Sequence, residues 1–491
     1  MRENLTQQRP LVSSVIQHPH AAELDRMSEL LTKVSGGARR VAADLQRGVV
    51  NPDLGRRGLS GEQVLRIVVL KQLTGFSYDK LAFHLEDSLT YRRFCVLGID
   101  GWSPKASTLQ GNVKRVRPET LEWIHRRLVK HAQALGVEDG GTILVDSTGV
   151  ESNIHRPTDS SLLNDGVRVL TRLLKRSTQF VDVTFSDHTR RAKRRALGVL
   201  NAKKDKQRSE RYGDLLKVAA KTAGYAREAI KALGRSRRPK ALGLREKLQA
   251  ALELFGRIIN QTQRRIFQGE NVPAEEKVVS MFEPHTDILL KGGRDTVYGH
   301  KTFLTTGRSG LVLDLMVEEG NPPDASHTVL LVKRHKRFFG AMPEQATFDA
   351  GFASAANQTE LMSLGVRDAA FAKNSAVDVL RSVASEATHR ALQRLRAGVE
   401  ATISWLKRSF GLGRCTWSGF RSFKAYAWGS VLAANLLQLA RLTMTLGEKT
   451  SQPKPGNRAV PDAPSSEFPT TASPRAISTR RAELTALCSL G

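Results

Sequence analysis

Three acidic residues that lie far apart in the chain have the chemistry of a divalent-metal site. Asp146 follows the short apolar segment TILV, and Asp349 lies within the strand-like segment ATFDAGF. Glu400 lies in a predicted helix, 393–413, on one polar stripe with Arg396 and Lys407. Carboxylates bind hard cations such as Mg²⁺ and Mn²⁺. If the three acids converge, they could hold two such ions about 4 Å apart, an arrangement that catalyses phosphoryl displacement.

Each acid also has an ordinary structural explanation. An exposed Arg–Glu pair four residues apart stabilises a helix by about 0.2–0.5 kcal/mol and needs no further role. An aspartate at the end of a strand often caps a turn. The metal site is favoured because all three acids occur together in a chain that is otherwise strongly basic.

The predicted order of elements can bring the three acids to one sheet. A strand with Asp146 is followed by four strand-like segments, KVVSMF, TDILLKGG, HKTFLTTGR and GLVLDLMVEEG, and by the helix ASHTVLLVKRHKRFFG. The strand with Asp349, the helix SAANQTELMSLG, the strand VRDAAFAK and the helix with Glu400 come next. We expect both aspartates in neighbouring strands of one mixed sheet, with the Glu400 helix packed across it. The histidines His300 and His327 near these strands are more typical of structural residues.

Composition indicates a polyanionic partner. The 491 residues include 76 Lys and Arg against 48 Asp and Glu, which leaves a net charge of +28. Nucleic acid is favoured over an acidic membrane surface as this partner. No apolar run is long enough to span a bilayer. No phosphate-binding loop of the GxxxxGK[ST] type occurs, so we expect no use of ATP. With no secretory signal apparent, the predicted location is the cytoplasm.

The rest of the chain divides into segments that differ in composition and in predicted secondary structure. Residues 1–55 form a variable segment, and residues 56–136 predict a helical DNA-binding domain with short helices and tight turns. Residues 137–446 predict the catalytic domain, interrupted by a basic helical insertion at about 157–275. The most cationic part of this insertion contains Arg190, Arg191, Lys193, Arg194 and Arg195. These residues predict phosphate contact, although a solvated helical face is the alternative. Residues 447–491, rich in Pro and Ser, predict a disordered tail.

Three segments resemble the acidic motifs of bacterial insertion-sequence DDE transposases, in particular of the ISNCY type. They are VDSTGVESNIHRPTDSSLL, TFDAGFAS and RAGVEATISWLKRSFGLGRCTW. The last resembles the pattern Tyr-x2-Arg-x3-Glu-x6-Lys, with Arg396, Glu400 and Lys407 at the correct spacing. Gln393 stands where that pattern has Tyr. The resemblance extends from about residue 60 to residue 442.

The resemblance implies an RNase H-like catalytic core, α+β or α/β in class, in which Asp146, Asp349 and Glu400 hold two Mg²⁺ ions, with Mn²⁺ as a substitute. In such enzymes water cuts a DNA strand at the element's end, and the freed 3′-hydroxyl attacks target DNA. Arg396 and Lys407 would contact phosphates near the cut bond. The N-terminal helices would recognise the terminal inverted repeats, and two subunits would pair two ends, so the protein would associate with the nucleoid when bound.

Two alternatives to a transposase remain open. One is a nuclease with the same core that does not transpose, such as a domesticated descendant. The other is a DNA-binding protein without catalysis, such as a decayed copy. The complete acidic triad favours an active enzyme over the second alternative.

Overall fold

The computed structural model describes residues 16–51, 58–98, 102–291, 295–372 and 377–451. The described residues up to Thr445 form one compact unit. The disordered tail predicted from residue 447 was wrong for residues 447–451, which form the end of the last helix. The rest of the predicted tail, from 452 onward, lies outside the described residues, as do residues 1–15 of the variable N-terminal segment. The domain boundaries stay a prediction.

The N-terminal part is helical, as its periodicity predicted. The helices are α1 (Pro19–Lys33), α2 (Gly37–Gln46), α3 (Gly61–Thr74), α4 (Tyr78–Asp87), α5 (Leu89–Phe94), α6 (Ala106–Val113) and α7 (Pro118–Ala134). Ser60 caps α3, and a reciprocal bond with Gln63 completes a capping box, which satisfies two backbone N–H groups that no helical carbonyl can reach. Gly75, with a φ of +66°, ends α3 where the sequence predicted a break.

A six-stranded mixed sheet follows. Its strands are β1 (Thr142–Glu151), β2 (Asp287–Lys291), β3 (Asp295–Gly307), β4 (Val312–Val317), β5 (Gln345–Phe348) and β6 (Asp368–Phe371). The order is β2–β3–β1–β5–β6, and β4 also pairs with β3. β1 runs antiparallel to β3 and parallel to β5, which is parallel to β6. The predicted mixed sheet is confirmed.

Two strand predictions were wrong in detail. The segment KVVSMF, 277–282, forms no strand, and its Val278 and Met281 pack instead into the core of the insertion. The strand predicted to end at TILV continues through Asp146 to Glu151, because β3 pairs with β1 over this whole length. Asp146 therefore lies within a strand rather than at its end.

The helical insertion between β1 and β2 has a core of its own. Its helices are α8 (Asp159–Ser177), α9 (Thr189–Leu200), α10 (Asp205–Leu233) and α11 (Pro239–Phe267). Apolar side chains from all four helices form one hydrophobic cluster, which is separate from the cluster of the sheet. A long insertion can be accommodated after β1 because it buries its own apolar surface.

The remaining helices cover and support the sheet. They are α12 (Thr328–Phe339), preceded by a 3₁₀ turn (Asp324–His327), α13 (Ala355–Ser363), α14 (Glu386–Ser409) and α15 (Phe420–Ser451). α15 contributes to one hydrophobic core together with the N-terminal helices and the sheet. Among the described residues, no helix is long and apolar enough to cross a membrane.

Candidate active site

Strand register places Asp146 and Asp349 side by side. Val145 of β1 pairs with Phe348 of β5 in parallel register, and each aspartate is the next residue along its strand. Neighbouring strands lie about 4.8 Å apart, so the two aspartates lie next to each other where the pairing of β1 with β5 ends. Asp349 follows the last residue of β5 and is the N-cap of a short 3₁₀ turn (Ala350–Phe352).

Helix α14 carries Glu400, and the guanidinium group of Arg396 on the same helix links this acid to the two aspartates. Nη2 of Arg396 lies 2.8 Å from Oε1 of Glu400. Nη1 lies 3.6 Å from Oδ1 of Asp349 and 3.7 Å from Oδ2 of Asp146. Because one planar group contacts all three acids, the carboxylates surround a common point. The structure thus brings together three acids that belong to separate segments of the chain.

The three carboxylates differ in their exposure to solvent. The side chain of Asp146 is 14 % exposed, whereas those of Asp349 and Glu400 are 47 % and 56 % exposed. Burial raises the pKa of Asp146 to about 6, and the charges of Asp349 and Glu400 act in the same direction. The hydrogen bond from the Ser147 backbone N–H and the charge of Arg396 act in the opposite direction. Arg396 therefore does not offset the combined effect of burial and of the neighbouring acids on this pKa.

The donor set fits a hard divalent cation. It consists of carboxylate oxygens alone, the ligands that Mg²⁺ and Mn²⁺ prefer. Within the described residues, no group of three or more His, Cys, Asp or Glu has the spacing to hold a metal ion, and the Arg396 guanidinium lies between the acids instead. The donor chemistry fits, and a metal ion bound at this point would take the place of that guanidinium.

The acids line an open cavity of about 700 Å³. Lys407, the second predicted phosphate ligand, lies in its wall, and its Nζ donates to the carbonyl of Gly149 at 2.9 Å. Gln393, which replaces the family's Tyr, donates weakly to the Ala370 carbonyl at 3.3 Å and thereby holds α14 against β6. Arg396 and Lys407 therefore both line the cavity that contains the three acids.

The predicted cationic tract of the insertion lies elsewhere. Arg190, Arg191, Lys193, Arg194 and Arg195 are all exposed on α9, whose Ala192, Ala196 and Val199 are buried in the insertion core. None of the five lines the cavity of the acids. Arg195 contacts Asp214 at 3.5 Å, and Arg190 and Lys193 line a shallow depression with other cations of α8. This surface is a cationic face separate from the acidic cavity.

Sequence analysis missed two charged residues at the rim of the cavity. Lys301 of β3 and Asp324 of the 3₁₀ turn pair at 3.0 Å. The only signal for them was an Asp after Asn-Pro-Pro and a Lys in a strand, both of which are common. The histidine prediction fits the contacts: His300 is fully buried and bonds Asp287 at 2.7 Å, and His327 stacks on Phe303.

Strand order defines the class of fold as RNase H-like, and the three carboxylates line one cavity of this fold. A family model described as Transposase DDE domain matches residues 290–436, which include Asp349 and Glu400. A second, described as Transposase domain (DUF772), matches residues 16–115, the N-terminal helices. The chain belongs to the insertion-sequence DDE transposases, as its motifs predicted. Among curated proteins and solved structures, nothing matches the chain significantly. The ISNCY type stays a prediction.

Proposed function

We propose that this transposase cuts DNA strands at the ends of its element and joins the freed 3′-hydroxyl to target DNA, with Asp146, Asp349 and Glu400 as the catalytic, metal-holding residues. The observation that supports this most directly is the contact of one guanidinium with all three carboxylates. Two Mg²⁺ ions, replaceable by Mn²⁺, are the proposed cofactor. When bound between such acids, they stabilise the attacking and leaving oxygens of an in-line displacement.

The chain's own residues have distinct tasks in this proposal. Asp146 must be ionised to bind a cation, which its pKa of about 6 permits at neutral pH. Arg396 compensates the acids in the free protein and pairs with a DNA phosphate once it is released from them. Lys407, held by the Gly149 carbonyl, adds a second cation on the same side of the cavity. Neither step needs ATP, because water hydrolyses one phosphodiester bond in the first step and the 3′-hydroxyl replaces one phosphodiester bond by another in the second.

The proposed partner is double-stranded DNA, both terminal inverted repeats and target. The N-terminal helices would read the repeats, and a homodimer would hold two ends together. The exposed cations of α9 would contact phosphates without reading sequence, since phosphate contacts position a protein but carry no base information. A net charge of +28 favours such binding. The proposed location is the bacterial cytoplasm, with association to the nucleoid when DNA is bound.

The decisive experiment is a strand-cleavage assay on a duplex that carries the inverted repeat flanking the reading frame. Asp349→Asn and Glu400→Gln should each abolish Mg²⁺-dependent cleavage while DNA binding stays near wild type. Glu360→Gln is the matched control, because Glu360 is an exposed acid of α13 paired with Lys333 outside the cavity. Cleavage that persists in EDTA, or DNA binding that falls in step with cleavage, would refute the assignment. Joining of the cut 3′ end to a second duplex distinguishes a transposase from a nuclease.

A further inference from the structure

A second ionic contact lies at the rim of the same cavity. Nζ of Lys301 donates to Oδ1 of Asp324 at 3.0 Å and to the carbonyl of Pro322 at 2.7 Å. Both charged side chains are largely enclosed, with 17 % and 21 % of their surface exposed. Both line the cavity together with the three acids. An ion pair in this position is more than a surface contact, because solvent screens it less.

Asp324 also contacts the chain segments that carry both aspartates of the active site. Its Oδ2 accepts a hydrogen bond from Oγ of Ser147, the residue after Asp146, at 3.0 Å. The same oxygen lies 3.0 Å from the position that a Cβ of Gly351 would occupy, two residues after Asp349. A side chain at position 351 would require this carboxylate to shift by a few tenths of an ångström. Asp324 is thus packed between the two aspartate-bearing segments and holds Lys301 there.

The position of Lys301 suits a phosphate ligand. Lys301 is paired in register with Gly149 of β1, whose carbonyl accepts from Lys407, so both lysines flank one position of the strand. An ammonium group has three N–H donors. The two contacts to Asp324 and Pro322 use two of these donors, which leaves one for an oxygen atom that enters the cavity.

The pairing with Asp324 has a physical reason. A lysine beside three clustered carboxylates would otherwise pair with them and compete with any divalent cation for the same oxygens. Asp324 supplies a separate carboxylate and so keeps the ammonium group away from the metal-holding acids. We propose that Lys301 is a further phosphate-binding residue of the active site and that Asp324 is the residue that positions it. This inference rests on the proposed function.

The test measures Mn²⁺ binding to the full-length, DNA-free protein by electron paramagnetic resonance. Asp324→Asn keeps an acceptor for Ser147 but releases the charge of Lys301, so Mn²⁺ affinity should fall several-fold. The double variant Asp324→Asn/Lys301→Gln should recover it, because the competing ammonium is gone. Glu360→Gln, which releases Lys333 in the same way on the exposed surface, should bind Mn²⁺ as wild type does. Thermal melts verify that each variant is folded.

Cleavage supplies the second readout. Lys301→Gln should slow single-turnover cleavage of the inverted-repeat duplex about 100-fold, the usual cost of removing one donor to a developing charge, while Mn²⁺ affinity in the absence of DNA does not fall. The inference is overturned if the double variant binds Mn²⁺ as weakly as Asp324→Asn, which would make Asp324 a ligand or a structural residue, or if Lys301→Gln cleaves as wild type. If Asp349→Asn also cleaves, the proposed function itself fails.

Discussion

Replacing Asp146 by Asn should stabilise the metal-free protein while it abolishes cleavage. Burial, helped by the charges of Asp349 and Glu400, raises the pKa of this carboxyl from its ordinary value of 3.8 to about 6. One pKa unit corresponds to about 1.4 kcal/mol. Keeping Asp146 ionised in the folded state therefore costs about 3 kcal/mol at neutral pH, and a neutral amide of the same shape removes this cost.

The sign of the pH dependence follows from which state binds more protons. Between pH 3.8 and about 6, Asp146 is protonated in the folded state and ionised in the unfolded state. The free energy of unfolding of the wild type therefore falls as pH rises through this window, and the full cost is present above pH 6. The advantage of Asp146→Asn should accordingly be small at pH 4 and greatest at pH 7 and above.

The assay is thermal unfolding in EDTA at pH 7.5 and at lower pH. We expect the melting temperature of Asp146→Asn to exceed that of the wild type by a few °C, on the order of 1–2 °C per kcal/mol for a unit of this size. Mg²⁺ should reduce the difference, because a ligand that binds the folded wild type stabilises it. A variant equal to or less stable than wild type in EDTA, or an advantage that does not change with pH, would refute the reasoning.

Asp314→Asn is the matched control for this experiment. Arg334 binds the Asp314 carboxylate at 2.6 and 3.0 Å, and Arg126 adds a contact at 3.3 Å. The same chemical change therefore removes a compensated charge and leaves the two cations with Glu122 as their remaining acidic partner. It should destabilise the protein, by up to about 3 kcal/mol. Opposite signs for the two substitutions would show that the local charge balance, rather than the substitution of Asp by Asn as such, decides the outcome.

The remaining predictions address the site's cation, the insertion and its core. Arg396→Gln should raise the affinity of the DNA-free protein for Mn²⁺ and yet lower cleavage, since the guanidinium competes with metal before it can bind phosphate; weaker Mn²⁺ binding would contradict this. Reversing the charges at positions 190–195 should weaken binding to all duplexes alike. The slope of log affinity against log salt should fall by about 0.9 for each DNA phosphate that the variant no longer neutralises. An unchanged slope would identify these residues as a plain solvated surface. Gly166→Ala should destabilise the insertion, because the added Cβ would lie 2.0 Å from the Phe255 ring. Gly224→Ala, where nothing lies within 4 Å of the added Cβ, should stabilise the insertion by about 1 kcal/mol. Urea unfolding measures whether the free energy of unfolding falls or rises.

Local patterns predicted many of the elements on which the site is built. The Ser60 cap and the break at Gly75 follow from chemistry within one helix. The strand–helix alternation from β3 to α14 follows from periodicity and indicated the mixed sheet. Arg396 and Glu400 share a stripe because they are four residues apart, which no distant contact can change. Lys407 lies on the same stripe, and it also reaches the cavity.

Contacts between distant segments decided the rest. KVVSMF has strand-like composition, but its Val278 and Met281 pack into the core of the insertion, and that packing outweighs a weak local preference. β1 continues past TILV because β3 supplies partners as far as Glu151, and no local pattern in β1 contains that information. The Lys301–Asp324 pair forms between residues whose sequence surroundings are ordinary.

The sequence by itself determined which residues carry charge, where helices and strands could form, and, through its motif spacing, the three acids on which catalysis would depend. Only the tertiary structure decided that one guanidinium contacts all three, that Asp146 is buried enough for its pKa to rise, and that a fourth carboxylate stands beside them. The physical reason is that burial and electrostatic interaction depend on distances in space. Those distances are set by strand register and helix packing, which bring together residues that are far apart along the chain.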